Sequence, residues 1–177
     1  MVSLISVFTV FVILFGIIGA MRGWAKELLV TSAIVLGLFL NAILETYVEP
    51  YRSALFMQSG STQFLIRGGF LALLAFFGYQ TPSIRALREK MAREHLQDML
   101  LGLVLGAVNG YLLTGSLWFY LHHAGYPTDL VIQPAADSAL AQQITDLVVY
   151  LPPAVLPVPH VYFAVGVVFV FIIVVFV

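Results

Sequence analysis

The stretch GLVLGAVNGYLLTG, from Gly102 to Gly115, decides the fold, and it lies inside an uncharged run from Met99 to Thr128. Small residues recur in this stretch at positions 102, 106, 110 and 114. Side chains four residues apart share one face of an α-helix, so this helix has a groove that another backbone can enter. Within lipid, such small-xxx-small faces are typical of contacts between helices. The pattern therefore predicts a transmembrane helix that packs closely against other helices.

A second face of small residues occurs at the end of the first apolar run. The helix-packing residues are predicted to be Gly16, Gly19 and Gly23 in the first span and Gly102, Gly106, Asn109, Gly110 and Thr114 in the fourth. The Asn109 amide needs hydrogen-bond partners in lipid, and we expect it to bond to a neighbouring helix. The alternative is that Asn109 lines a polar pathway.

The composition is that of a membrane protein. Of 177 residues, 61% are hydrophobic and 10% are charged, whereas soluble domains have roughly 45–50% apolar and about 25% charged residues. We interpret the chain as one all-α, polytopic membrane domain over residues 1–177. The net charge of −1 predicts no nucleic-acid partner, and the absence of cysteine excludes disulfides and thiolate metal sites.

Five transmembrane helices are predicted, over residues 2–21, 27–47, 63–81, 97–123 and 160–177. The first is expected to be retained, because no basic residue precedes it and no signal cleavage site follows it. Arg67 lies near the start of the third span, where we expect it to snorkel to the headgroups. The alternative is that this segment is re-entrant or interfacial.

The basic residues predict the orientation. Six of the eight lie in the first and third connections, which places the N-terminus outside and the C-terminus in the cytoplasm. The predicted cytoplasmic anchors are Arg22, Trp24, Lys26, Arg85, Arg88, Lys90 and Arg93.

Two connections carry patterns of their own. Residues 84–98 are predicted to form a cytoplasmic amphipathic segment, or else a solvated charged hinge. Residues 124–159 are predicted to form an extracytoplasmic, proline-rich loop with a short interfacial helix over 138–150, whose apolar side includes Ile144, Leu147 and Val148. The last span has no charged side chain, which fits either a helix covered by a partner or a short span anchored by its own carboxylate.

No catalytic motif or metal site is recognised, so we expect a protein that is not an enzyme. We also place no ionisable residue in the middle of the membrane, which disfavours a proton-coupled transporter. His122, His123 and His160 lie near the predicted outer interface. There they can form part of an interfacial aromatic belt or, as the alternative, ligate a metal or a chlorophyll-type pigment. The expectation is no cofactor, with a chlorophyll-type pigment or a carotenoid as the alternative.

Two short motifs resemble those of a known family. Residues 19–28 read G-x-x-R-G-x-x-K-E-L and residues 98–110 read D-x-x-L-G-x-x-L-G-x-x-x-G. They resemble the arginine-glycine turn and the glycine-rich helix of the colicin V production protein family. The resemblance covers about residues 1–120, and the chain departs from it beyond Tyr126. It implies a bacterial inner-membrane protein without known catalytic residues, linked to export and envelope physiology.

Three functions remain open from the sequence. The first is a non-enzymatic membrane scaffold or accessory subunit that packs through its glycine faces, in a homo-oligomer or a larger membrane complex. The second is an export or channel component of the colicin V production type. The third is a pigment-binding accessory subunit of a photosynthetic complex, which depends only on the histidines and the aromatic residues beside them.

Overall fold

The computed structural model of the chain describes residues 4–80, 95–127 and 139–176. Every regular element in these ranges is an α-helix, which confirms the predicted all-helical bundle. The helices are α1 (Leu4–Arg22), α2 (Trp24–Tyr47), α3 (Glu49–Phe56), α4 (Gly60–Tyr79), α5 (His95–His123), α6 (Ala139–Val148), α7 (Pro152–Val155) and α8 (His160–Phe176). Helices α1, α2, α4 and α5 are long and apolar enough to cross a membrane, and α8 is apolar but shorter.

Local sequence explains several helix boundaries. Gly23 has φ 87° and ends α1, because this backbone conformation is open mainly to glycine. The hydroxyl of Ser59 accepts a hydrogen bond from the Thr62 N–H and caps α4. Helix α3 carries Pro50 in its first turn, where a missing N–H costs nothing. The sequence analysis did not predict α3, because its residues are too polar to belong to a span.

The long helices alternate in direction. The guanidinium of Arg22 donates to the Tyr79 carbonyl, so the α1–α2 turn and the end of α4 share one end of the bundle. The start of α5 lies there too, since the Trp24 N–H donates to Asp98. At the opposite end the Tyr162 hydroxyl, in the first turn of α8, donates to the Tyr47 hydroxyl at the end of α2. Which end faces the cytoplasm stays a prediction.

Helix α2 is the centre of the bundle and contacts α4, α5 and α8. Its buried side chains Val30, Ile34 and Leu38 form the core together with Leu71 of α4 and Leu112 of α5. Helix α1 packs along α5 and touches α2 little. The outward faces of α1 and α8 are apolar, as expected of helices that meet lipid.

Arg67 has a partner that the sequence analysis did not predict. The residue is 8% exposed, and its guanidinium donates to both carboxylate oxygens of Glu45, at 2.7 and 2.9 Å. The two residues lie at the same level of α4 and α2, so the guanidinium has its countercharge within the bundle. Helix α4 has the length and composition of a full span, which favours that interpretation over a re-entrant segment.

Helix α6 lies within the segment predicted to be an interfacial helix. Its Ile144 and Val148 are buried against Trp118 and Tyr126, so α6 is docked on the bundle. Leu147, which the sequence pattern placed on the same side, is 38% exposed. The amphipathic segment 84–98 lies outside the described residues up to position 94, as do the predicted anchors Arg85, Arg88, Lys90 and Arg93.

Candidate functional site

A seam of glycines joins α1 to α5. We define the glycine seam as Gly16 and Gly19 of α1 with Gly102, Gly106 and Gly110 of α5. A Cβ on Gly19 would lie 2.7 Å from the Gly106 Cα, and one on Gly106 would lie 2.9 Å from the Gly19 Cα. These distances are too short for any real Cβ, so the two backbones are in direct contact. The glycine face of the fourth span is therefore filled by the first helix of the same chain.

The predicted row of small residues ends differently at its C-terminal end. The Thr114 hydroxyl donates to the Gly110 carbonyl within α5 rather than across to another helix. The neighbouring Gly115 instead faces Phe8 of α1 and Pro152 of α7. The close backbone contact thus runs from Gly102 to Gly110, and side chains fill the interface beyond it.

Asp98 holds the turn between α1 and α2. Its carboxylate Oδ1 accepts a hydrogen bond from the Trp24 N–H at 3.0 Å. A Cβ on Gly23 would lie 2.7 Å from both oxygens of this carboxylate, so the close approach requires glycine as much as the positive φ does. Asp98 opens the second sequence motif and Gly23 lies in the first. The two motifs therefore meet at this point.

Asp98→Ala tests this contact. The variant leaves the Trp24 N–H without its acceptor, and by analogy with helix capping we expect a loss of about 1 kcal/mol in the free energy of unfolding. Asp98→Asn keeps an oxygen acceptor and should lose less. Stability is measured by denaturant titration of the purified protein in detergent, with Asp146→Ala on the exposed side of α6 as the control. Equal stability of Asp98→Ala and the control would contradict the assigned role.

A buried carboxylate lies beside the glycine seam. Glu27 and Asn109 are both 0% exposed. The Glu27 carboxylate accepts hydrogen bonds from Arg22 at 2.9 Å, from the Asn109 amide at 2.8 Å and from the Tyr79 hydroxyl at 3.4 Å. We call these four residues together with Thr31 the Glu27 cluster. It links α1, α2, α4 and α5 through charge-assisted hydrogen bonds.

Asn109 is fully engaged within this cluster. Its amide nitrogen also donates to the Glu27 carbonyl at 3.0 Å, and its oxygen accepts from the Thr31 hydroxyl at 2.7 Å. This arrangement is the expected bond to a neighbouring helix. It leaves no free amide group to line a polar pathway.

Glu27 is buried inside the bundle, which the sequence analysis did not predict. That analysis took Glu27 as the boundary of the second span, residues 27–47. In the structure Glu27 points inward and meets Asn109, the central residue of α5. Helical spacing carried the signal: Glu27, Thr31, Ile34 and Leu38 follow one face of α2, and all four are buried.

The histidines at the other end of α5 have different partners. The Tyr126 hydroxyl accepts from the Trp118 indole N–H, so we assign its own proton to the Nδ1 of His122, at 2.9 Å. Burial raises the pKa of the Tyr126 phenol and keeps it protonated for this bond. The Nδ1 of His123 lies 2.9 Å from the Phe119 carbonyl and must donate to it, so in the neutral imidazole Nε2 is the acceptor.

These assignments bear on the predicted metal or pigment ligands. Within the described ranges, no group of three His, Asp or Glu side chains is arranged to hold a metal ion. The Nε2 of His122 carries a proton in this tautomer, whereas the Nε2 of His123 has a free lone pair. His160 begins α8 and is exposed. Pigment ligation therefore stays a prediction for His123 and His160 and loses support at His122.

Comparison with known proteins identifies the family. Residues 6–148 match the family described as colicin V production protein. The match extends through α6, further than the resemblance over about residues 1–120, and ends before α8. The chain matches no curated protein and no solved structure. Since the match covers most of the chain, and the two motifs within it meet at the α1–α2 turn and the glycine seam, this multi-pass membrane protein belongs to the colicin V production protein family.

Proposed function

We propose that the protein is a non-enzymatic accessory subunit of a bacterial inner-membrane complex that serves colicin V production. One observation carries the proposal: the residues of the two family motifs are directed at each other. Glycines contact glycines, Asp98 binds the turn at Trp24, and Asn109 binds Glu27. The motifs thus build a rigid core of helices rather than an open site, which supports a structural role without a cofactor.

The structure changes how such a subunit would meet its partners. The glycine faces were expected to pack against helices of the protein itself or of a larger complex, and the glycine seam uses them within the chain. Partner helices must therefore pack elsewhere. The outward side of α1 offers a stripe of exposed apolar side chains at helical spacing, formed by Val10, Ile13, Ile17 and Met21. Because the family match includes α1 from residue 6 onward and α8 lies beyond it, we place the partner contact on α1.

Site-specific photo-crosslinking in cells tests this contact. A photoreactive residue at Ile13 or Ile17 is expected to capture one membrane protein, identified by mass spectrometry, at both positions. The matched controls are Phe163 and Val170, which are equally apolar and exposed on α8. Lipid adducts alone at all four positions would contradict the proposed role.

The family match still supports the alternative of an export or channel component. The polar pathway that also favoured this alternative has lost its support. Asn109 was the polar residue that favoured a pathway along the glycine-rich helix. All of its hydrogen-bonding groups now have partners on α2. A role in export is therefore better explained by assembly with other subunits than by conduction along this helix.

A further inference from the structure

A cavity of about 410 Å³ opens at the end of the bundle opposite the α1–α2 turn. This volume falls within the range of small-molecule sites, about 300–1,000 Å³. The end of α2, the first half of α4, the end of α5 and the connection from α7 to α8 form its walls. Its main polar residues are Asn41, Glu45, Gln63, Arg67, Tyr120 and His123. We call it the Asn41 cavity.

Asn41 has an unpartnered oxygen. The residue is 2% exposed, and its amide nitrogen donates to the Arg67 carbonyl at 3.2 Å and to the Tyr120 hydroxyl at 3.4 Å. Its Oδ1 finds no hydrogen-bond donor among residues 4–80, 95–127 and 139–176. Exchanging the amide oxygen and nitrogen would set two acceptors against each other at the Arg67 carbonyl, so the orientation is fixed. Asn41 lines the cavity, and its Oδ1 is a buried acceptor without a donor, which a ligand reaches once the neighbouring side chains give way.

The charged residues of the cavity balance each other. The Arg67 guanidinium donates twice to Glu45 and once, at 3.1 Å, to Gln63, and it lies over the Phe56 ring at 5.7 Å. A lone cation or anion would gain from one partner and be repelled by the other. A zwitterion gains from both, with its anionic group beside the guanidinium and its cationic group beside the carboxylate.

The remaining polar groups match a primary ammonium better than a quaternary one. Asn41 Oδ1, the spare lone pairs of Glu45 and the Nε2 of His123 are acceptors, and an ammonium group has three N–H donors. The Tyr120 hydroxyl accepts from Asn41, which leaves its proton free for an anionic oxygen. Leu38, Ala42 and Leu156 form the apolar part of the cavity wall.

We propose that the Asn41 cavity binds a primary-amine zwitterion, in which an ammonium group is joined by a short linker to a phosphate. The ammonium is held by Asn41 and Glu45, and the phosphate by Arg67 and Tyr120. The source of this group is either the headgroup of an aminophospholipid or a free phosphoethanolamine-type molecule. The cavity lies where α2, a helix long and apolar enough to cross a membrane, ends at Tyr47, so we place it at the level of the lipid headgroups.

Lipid competition tests the proposal on the unmodified protein. The full chain is equilibrated with equal amounts of phosphatidylethanolamine, phosphatidylcholine and phosphatidylglycerol, and the retained lipid is identified by native mass spectrometry. We expect phosphatidylethanolamine to exceed phosphatidylcholine about tenfold, because the trimethylated headgroup has no N–H for Asn41 or Glu45. Equal retention of these two lipids would overturn the proposal.

Two variants localise the effect. Asn41→Leu keeps the side-chain volume and removes the acceptor, so the preference should fall to near equality. If that variant does not fold, His123→Phe removes the second acceptor and should lower the preference about threefold. His122→Ala is the matched control, since His122 bonds to Tyr126 and does not line the cavity. Full preference in a folded Asn41→Leu protein would place the lipid elsewhere and overturn the proposal.

Free zwitterions distinguish the two sources. Phosphoethanolamine is added to lipid-free protein in detergent, with phosphocholine as its comparison. A rise in Tm with phosphoethanolamine but not with phosphocholine identifies the ligand as a soluble molecule. A lipid preference without this rise assigns the aminophospholipid headgroup. If neither assay distinguishes the primary amine from the trimethylated one, the proposal that the cavity recognises a primary ammonium is overturned.

Discussion

Gly106→Ala is expected to force α1 and α5 apart. The new Cβ would stand 2.9 Å from the Gly19 Cα, and a backbone atom cannot move aside as a flexible side chain can. We expect the free energy of unfolding to fall by an amount at or above the upper end of the about 1–3 kcal/mol typical of overpacking. Gly106→Leu should not yield a folded protein. The measurement is titration of the detergent-solubilised chain with sodium dodecyl sulfate, followed by circular dichroism.

The chain supplies matched glycine controls. Gly69 and Gly166 also lie inside helices, α4 and α8, but a Cβ on either meets no atom within 4 Å. Alanine there should leave stability unchanged or raise it by up to about 1 kcal/mol, because glycine is the weaker helix former. If Gly106→Ala is as stable as Gly69→Ala, the helices do not touch at the glycine seam.

Glu27→Leu is expected to have the second large effect. The variant leaves the Arg22 guanidinium and the Asn109 amide without their common acceptor inside the bundle. Breaking a buried ion pair costs about 3–5 kcal/mol, and we expect the lower end because Arg22 is 20% exposed. Glu27→Gln preserves shape and one acceptor, so its loss of unfolding free energy should be smaller. The same titration measures both variants.

Glu49→Leu is the control for this prediction. Glu49 pairs with Arg52 on the exposed surface of α3, where an ion pair adds little to stability. Combining Arg22→Met with Glu27→Leu removes both charges and should recover part of the lost stability. A Glu27→Leu protein as stable as Glu49→Leu would show that the Glu27 cluster does not hold the helices together.

The long helices could be predicted because membrane spans need uninterrupted apolar runs, and these are visible along the chain. The spacing of Gly102, Gly106 and Gly110 likewise showed a face for close packing. It could not show which helix fills that face, because a four-residue period describes one helix and says nothing of its neighbour. The structure places α1 there, so this contact lies within the chain itself.

The ion pairs were missed for a related reason. Glu27 and Glu45 lie near the ends of α2, where charged residues usually mark the membrane interface. Their inward direction depends on partners from distant parts of the chain, Asn109 for the first and Arg67 for the second. The apolar side of α6 was visible in its periodicity, but such a side can rest on lipid or on protein, and only the fold distinguishes the two.

The single-residue connection at Gly23 has a consequence for how the protein is built. A one-residue connection does not let α1 and α2 move apart at the turn, so the two helices must insert into the bilayer together as one hairpin. The hairpin is splayed, since its arms touch little beyond the turn, and α5 packs against both of them. Because α5 is synthesised after both arms, its packing between them sets their opening angle. Before α5 is made, the pairing of Arg22 with Glu27 across the turn can already neutralise these two charges.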